Sequence, residues 1–464
     1  MFLAHGFSKT TTHWHILKRY SKHTKKAFNL TRGGTSHPQK GIRRMIYYVD
    51  NVNGSLQNDG KTPETATLDY KVLNLVGGDT VLFKRGTIHH VLELTSGTPD
   101  APITYGAYGE GNAPAFAGGT DISRPEDWIP TERENVWLCT AETRGCVGNV
   151  VFNGDVCISA LRYNIDDLAG QGDFYDPMNE ENDFRRKWCK PTPTKNHLYL
   201  YSVGNPATVY ERIEAIDFAS AHLCFIRDNV ILDGLCFRNN SVHAVAGTGG
   251  RNVTIRNCHF ENIGGCVWCY ELKIRFGNAV EFWITAENVL VENCSFKNVY
   301  DSCVTHQGPG EKTPPAVNLN VRGCRFENYG MAAFEYRDKI PVGSEFVDNV
   351  CIGAGVGFAT ADGILPRGSE IWPQPMGHHI FLWRIDTPTE GGNILIANNT
   401  FGDAPHGAAV YSIICPEAEA QVTFKNNRYT RNDTLLVRYG GENFTNLDEY
   451  KAKTGNDPDS TYLA

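Results

Sequence analysis

Five short segments of the chain can be laid over one another. They are "NAVEFWI" from Asn278, "SCVTHQG" from Ser302, "AAFEYRD" from Ala332, "VGFATAD" from Val356 and "HHIFLWR" from His378. Val280, Val304, Phe334, Phe358 and Phe381 then share one apolar column and should face a core. Side chains alternate along a strand, so Glu281, Thr305, Glu335, Ala359 and Leu382 should face outward. Trp283, Gln307, Arg337, Ala361 and Arg384 follow two residues further on, on the same outward side. This patch would hold carboxylates, an amide, guanidinium groups and an indole. Those are the groups a sugar site needs: an acid, a base, partners for hydroxyls and a ring to stack on.

The spacing of the carboxylates bears on the reaction. If the segments are successive layers about 4.8 Å apart, Glu281 and Glu335 stand roughly 9–10 Å apart at the backbone. Inverting cleavage of a glycosidic bond uses carboxyl groups about 6.5–9.5 Å apart, and retaining cleavage about 5–5.5 Å. Glu281 and Glu335 therefore fit inversion. One would be an acid whose pKa is raised by burial and the other a base for water. Arg337 beside Glu335 favours the ionised form there, and so the base. A competing pair, Asp338 and Asp362, shares a column on adjacent layers, at the separation of a retaining pair. Asp301 precedes its strand and could reach over the edge of the same face. His306, Gln307, Tyr336, Trp383, Trp283, Arg337 and Arg384 are the candidate substrate contacts. His378 and His379 are adjacent on one strand, point to opposite faces and make a poor metal pair.

These layers belong to a longer repeat. "RNVTIRNCHFENIG" from Arg251, "ENVLVENCSFKNVY" from Glu287, "VNLNVRGCRFENYG" from Val317, "GNILIANNTFGDAP" from Gly392 and "AQVTFKNNRYTRND" from Ala420 are copies of one pattern. An earlier copy starts at Asp228 and a worn one at Ser344. Val230, Val253, Val289, Leu319, Phe346, Ile394 and Val422 mark the first shared apolar position. Each copy alternates apolar and polar residues with β-branched types, as in a strand with one buried face. The Asn that follows (Asn257, Asn293, Asn398, Asn426) suits a tight left-handed corner, and such residues would stack into a ladder. Cys258, Cys294, Cys324 and Cys351 are placed in the next column. A repeat of this length that tolerates insertions predicts an all-β solenoid, a right-handed parallel β-helix.

Composition sets the limits. The chain has 464 residues and a net charge of −8; residues 1–44 hold ten Lys or Arg and no acid, which leaves −18 on the rest. An acidic body argues against nucleic acid as a partner. There are 14 Cys; several fall in the interior column as small apolar groups, which favours a reducing compartment. Cys266 and Cys269 form one CxxC without the second pair a zinc site wants. No metal and no cofactor is expected.

In chain order, residues 1–44 read as a basic extension with Met45 as the start of folded sequence. They carry no secretory signal, and no stretch of the chain can span a membrane, so the expected location is cytoplasmic. Residues 45–120 read as a cap and first coils. Residues 121–215 break the repeat and read as an inserted β-rich subdomain. Residues 216–440 are the main coils with the chemical face, and 441–464 close the end. The opening "YVDNVNGSLQNDGKTP", "GGDTVLFKRG" and "SGTPDAPITYGAYGEGNAP" resembles the right-handed parallel β-helix (pectate-lyase-like) carbohydrate-active proteins. The resemblance covers nearly all of 46–440 and implies this fold and a carbohydrate substrate. Such proteins include glycoside hydrolases, polysaccharide lyases and uronate epimerases, and the motifs fix no catalytic pair.

The paired carboxylates and aromatic rings place a glycoside hydrolase first, exo-acting if the substrate is a short imported glycan. A polysaccharide lyase is the alternative. It would need Arg337, Arg384, Lys273 or Arg275 as base, with Ca²⁺ as the metal such lyases often use. A non-catalytic glycan-binding solenoid is third. The sequence leaves open whether the long faces pair into a homodimer.

Overall fold

The computed structural model describes residues 44–154, 159–181, 193–356 and 377–464. Strand after strand pairs in parallel with the strand one coil on. One coil runs through Ser295–Val299, Ser302–Gln307 and Val317–Arg322, and the next through Arg325–Tyr329, Ala332–Arg337 and Ser344–Val347. Each trio of strands lines three long faces, and one continuous apolar core fills the space between them. The fold is therefore a parallel β-helix.

Two kinds of side-chain column hold the coils in register. Phe116, Phe237, Phe260, Phe296 and Phe326 lie over one another with ring centroids 5.6, 5.5, 4.7 and 4.8 Å apart, close to the spacing of adjacent strands. Asparagines in left-handed conformation turn the corners. Asn229, Asn252, Asn288 and Asn318 have φ between 51 and 58°. Asn252 donates to Asn229 at 2.7 Å, Asn288 to Asn252 at 3.2 Å and Asn318 to Asn288 at 2.9 Å.

The interior column after the Asn corner changes chemistry along the axis. Cys258, Cys294 and Cys324 occupy it first; Asn349, Asn399 and Asn427 continue it, all buried. Cys351 belongs elsewhere: it pairs with Phe326 and Phe401 and so extends the aromatic column. The worn repeat is also shifted. Ser344, not Phe346, pairs with Ile394, and its hydroxyl accepts from Leu319 N–H at 3.0 Å. A polar residue replaced the marker by which the copies were aligned.

The buried asparagines are fully engaged. Asn399 Oδ1 accepts from Asn349 N–H and Nδ2 at 3.0 and 3.1 Å, while its own Nδ2 donates to Asn427 Oδ1 and Phe346 O at 3.0 and 2.9 Å. Asp457 ends the ladder, accepting from Asn427 and from the Tyr429 hydroxyl.

The described strands between Thr120 and Ile216 form separate small sheets. Trp128–Pro130, Val136–Cys139, Tyr199–Tyr201 and Asp173–Tyr175 pair antiparallel, and Asp173–Tyr175 pairs in parallel with Ala160–Leu161. Their core of Ile122, Trp128, Phe152, Phe174 and Leu200 is reached by Val267 from the solenoid. Cys266 and Cys269 are both buried, in a strand of the hairpin that makes this contact. Arg275 on the same hairpin is 1% exposed. It donates to Gly265 O at 2.8 Å and Gly148 O at 2.6 Å, with its guanidinium 4.4 Å from the Tyr300 ring centre.

The ladder gives a stability test. Asn399→Ala orphans several buried groups, each costing about 1–3 kcal/mol, so urea unfolding should show a loss of at least ~3 kcal/mol. Asn398 has φ 58° and lies at the surface; Asn398→Gly should stay within about 0.5 kcal/mol, because glycine adopts that conformation freely.

Candidate active site

Seven strands build the face. They are β1 (His222–Phe225), β2 (His243–Arg256), β3 (Val280–Glu292), β4 (Ser302–Gln307), β5 (Ala332–Arg337), β6 (His378–Ile385) and β7 (Val410–Ile414). The registers place Glu281 beside Thr305, Thr305 beside Glu335 and Glu335 beside Phe381. The next outward column runs Trp283, Gln307, Arg337 and Trp383.

Two expectations change here. β5 pairs directly with β6, and its partner for Phe334 is Ile380, not Phe381. Phe381 therefore faces outward, Leu382 faces the core, and Trp383 takes the place assigned to Arg384. His306 and Tyr336 align with Phe282 and Leu382 and are fully buried toward the core. His306 Nε2 meets Ile284 O at 3.0 Å, and burial lowers its pKa to about 4. Neither side chain is on the outward face.

Each strand bends at its start. Cys303 and Val304 both face the core, as do Ala333 and Phe334. The residue three before each outward position is thereby brought to the same side. His243, Asn278 and Ser302 enter the site in this way, although alternation alone would not put them there.

Glu281 is 8% exposed. Its Oε2 accepts from Asn278 Nδ2 at 2.5 Å and lies 3.3 Å from His243 Nδ1. Burial pushes its pKa up to about 7, and the charge of Glu335 adds to this; the Asn278 hydrogen bond and Arg337 oppose it. His243 is no counter-ion. Burial lowers its pKa to about 4, and its Nδ1 accepts from Asn278 N–H at 3.1 Å. Between about pH 4 and 7 the contact is therefore a neutral acid beside a neutral imidazole.

Glu335 is 1% exposed and sits among donors. Ser302 Oγ donates to Oε2 at 2.7 Å and Trp383 Nε1 to Oε1 at 2.9 Å. Arg337 Nε is 3.3 Å from Oε1, and its guanidinium lies 5.1 Å from the Trp383 ring centre. Hydrogen bonds like those from Ser302 and Trp383 hold a carboxylate, and Arg337 adds an ion pair without a hydrogen bond from Nε. The face thus keeps two glutamates, one intervening strand apart, in opposite settings.

The other candidates are spread around this pair. Asp338, with φ 73°, accepts from Thr313 at 3.3 Å and lies 3.6 Å from Arg384. Asp362 lies outside the described residues, and the group that meets Asp338 from β6 is Arg384. Asp301 is 5% exposed, with its N–H on Gly277 O and its carbonyl accepting from Met331. Gln307 is buried and Trp283 half-buried in the outer column. Arg275 is committed to backbone carbonyls, and Lys273 lies over the Tyr163 ring, 5.6 Å from its centre. Among the described residues, no group of three or more His, Cys, Asp or Glu is placed to hold a metal ion. Nor is any helix there long and apolar enough to cross a membrane.

Residues 208–366 match the family model described as "Right handed beta helix region". The match covers about a third of the chain, and the fold is a right-handed parallel β-helix. Similar solved structures include the complex of XylC with xylose (14% identity, TM-score 0.49, 84% of this chain and 62% of that one). Pectate lyase Pel9A aligns at 14% identity and TM-score 0.48 over 91% of this chain and 77% of that one. A family 28 exopolygalacturonase of Yersinia enterocolitica aligns at 14% and 0.37 over 87% and 70%. This β-helix spans less than two thirds of the XylC chain. No curated protein matches the sequence.

The raised acid makes stability depend on pH. Glu281 ordinarily titrates near 4.5 and here near 7, so the folded state keeps a proton that the unfolded state releases between those values. Stability should therefore fall as pH rises through that window, by at most about 3 kcal/mol at ~1.4 kcal/mol per pH unit. Glu281→Gln should remove this slope, matching wild type at pH 4 and exceeding it at pH 8 in urea titrations.

Proposed function

We propose that the protein is a carbohydrate-active enzyme, an inverting glycoside hydrolase with Glu281 as general acid and Glu335 as general base. The observation that carries this reading is the opposite setting of two glutamates flanking Thr305: one held neutral by burial, one held by Ser302, Trp383 and Arg337. Two strand spacings, about 9–10 Å at the backbone, leave room for a sugar ring and a water.

In the reaction, Glu281 gives its proton to the glycosidic oxygen as the bond to the anomeric carbon breaks. A water attacks that carbon from the opposite side and passes a proton to Glu335. The departing sugar leaves as an alcohol, and the new hemiacetal has inverted configuration. Glu335 then holds the proton that Glu281 lost, and exchange with solvent restores both.

A pKa of about 7 leaves the acid about half protonated at pH 7 and mostly protonated below it, which suits proton donation. The lyase reading loses support from the basic residues: Arg275 is buried on carbonyls and Arg337 is paired with Glu335. An exo mode is a finer expectation and is decided by product length.

The test is hydrolysis of aryl-glycosides and oligosaccharides, followed by reducing-end release and by ultraviolet absorbance of unsaturated uronate. New reducing ends without that absorbance are expected. kcat should fall about 10²–10⁴-fold in Glu281→Gln and in Glu335→Gln, with the alkaline limb of the wild-type profile near pH 7. Absorbance that grows with cleavage would mean a lyase instead.

A further inference from the structure

Thr305 stands in the column between the two glutamates, one strand from each. It is fully buried in the outward column. Its hydroxyl has no hydrogen-bond partner, whereas two neighbouring groups of the same face do: Ser302 donates to Glu335 and Asn278 to Glu281. A buried hydroxyl left alone costs about 1–3 kcal/mol. An apolar residue of the same shape, valine, would fill the space without that cost, and β-branched apolar residues are what the interior columns use at other positions.

We infer that the Thr305 hydroxyl is a catalytic group of this site, binding the water that attacks the anomeric carbon. The inference rests on the hydrolase reading and deepens it. In that reading the reacting carbon and its water lie between Glu281 and Glu335, directly over Thr305. Both Glu335 oxygens are already fixed from the side, by Ser302 and Trp383. The carboxylate can take the water's proton along a remaining lone pair, but one contact does not orient the water. A hydroxyl from the outward column supplies the second. Thr305 undergoes no bond change: the O–H bond of water breaks toward Glu335, the new C–O bond forms, and the threonine keeps its own proton.

The experiment compares Thr305→Val and Thr305→Ser with wild type, Glu281→Gln and Glu335→Gln on the best substrate from the glycoside screen. Thr305→Val should lower kcat roughly 10²-fold, the scale of a misplaced reacting group, with KM within about twofold. Its melting temperature should equal or exceed that of wild type. Thr305→Ser keeps the hydroxyl and should recover most of kcat. Thr305→Val with wild-type kcat, while both glutamine variants are inactive, would overturn the inference and leave the hydrolase reading standing. A loss of kcat in the serine variant as large as in the valine variant would also overturn it, since the methyl and not the hydroxyl would then matter. Glutamine variants that cleave as fast as wild type would remove the reading on which it rests.

Discussion

The spacing between parallel strands governs this molecule. Each coil lies one strand-width from the next, so a strand side chain of an inner coil has a partner directly above and below it. Like residues stack into columns because a favourable neighbour in one coil is a favourable neighbour in all. The phenylalanine stack and the asparagine ladders follow from this, and so does the site. Glu281, Thr305 and Glu335 are one column of three successive coils. The lattice that stabilises the solenoid also fixes the distance between the two carboxylates.

What differs between the carboxylates is the ring of groups around each. Glu281 has one amide donor and a neutral histidine, and burial raises its pKa. Glu335 has a hydroxyl, an indole N–H and a guanidinium. His243, Ser302 and Trp383 come from the adjacent strands, and Asn278 and Arg337 from the glutamates' own coils, so the asymmetry is set by the surrounding residues rather than by the glutamates themselves. Trp383 and Ser302 reach Glu335 from opposite sides of its strand. The two settings are also coupled, because the charges of Glu335 and Arg337 both act on Glu281.

The repeat and the column of Glu281 and Glu335 were legible in the sequence, because copies of "NVTIRNCHFEN" keep an apolar marker and an Asn corner. Legibility failed where the marker changed. Ser344 stands where an apolar residue was sought, which moved that copy by two positions. The β6 segment was one residue out because Ile380, Phe381 and Leu382 are all apolar and alternation cannot rank them; the pairing with β5 does. Asn278, Ser302 and His243 were missed for another reason. A bend turns two successive residues inward, and strict alternation has no term for it. His306 and Tyr336 were read for their chemistry, although their parity already placed them in the core.

The account stands most directly on the protonation of the two glutamates, which can be measured without any substrate. Infrared difference spectra of wild type against Glu281→Gln and against Glu335→Gln, taken from pH 4.5 to 9, would read it. The account predicts a protonated carboxyl band that is absent from Glu281→Gln, fades with a midpoint near pH 7 in wild type, and persists in Glu335→Gln. A band that survives Glu281→Gln and disappears in Glu335→Gln would reverse the roles and contradict it.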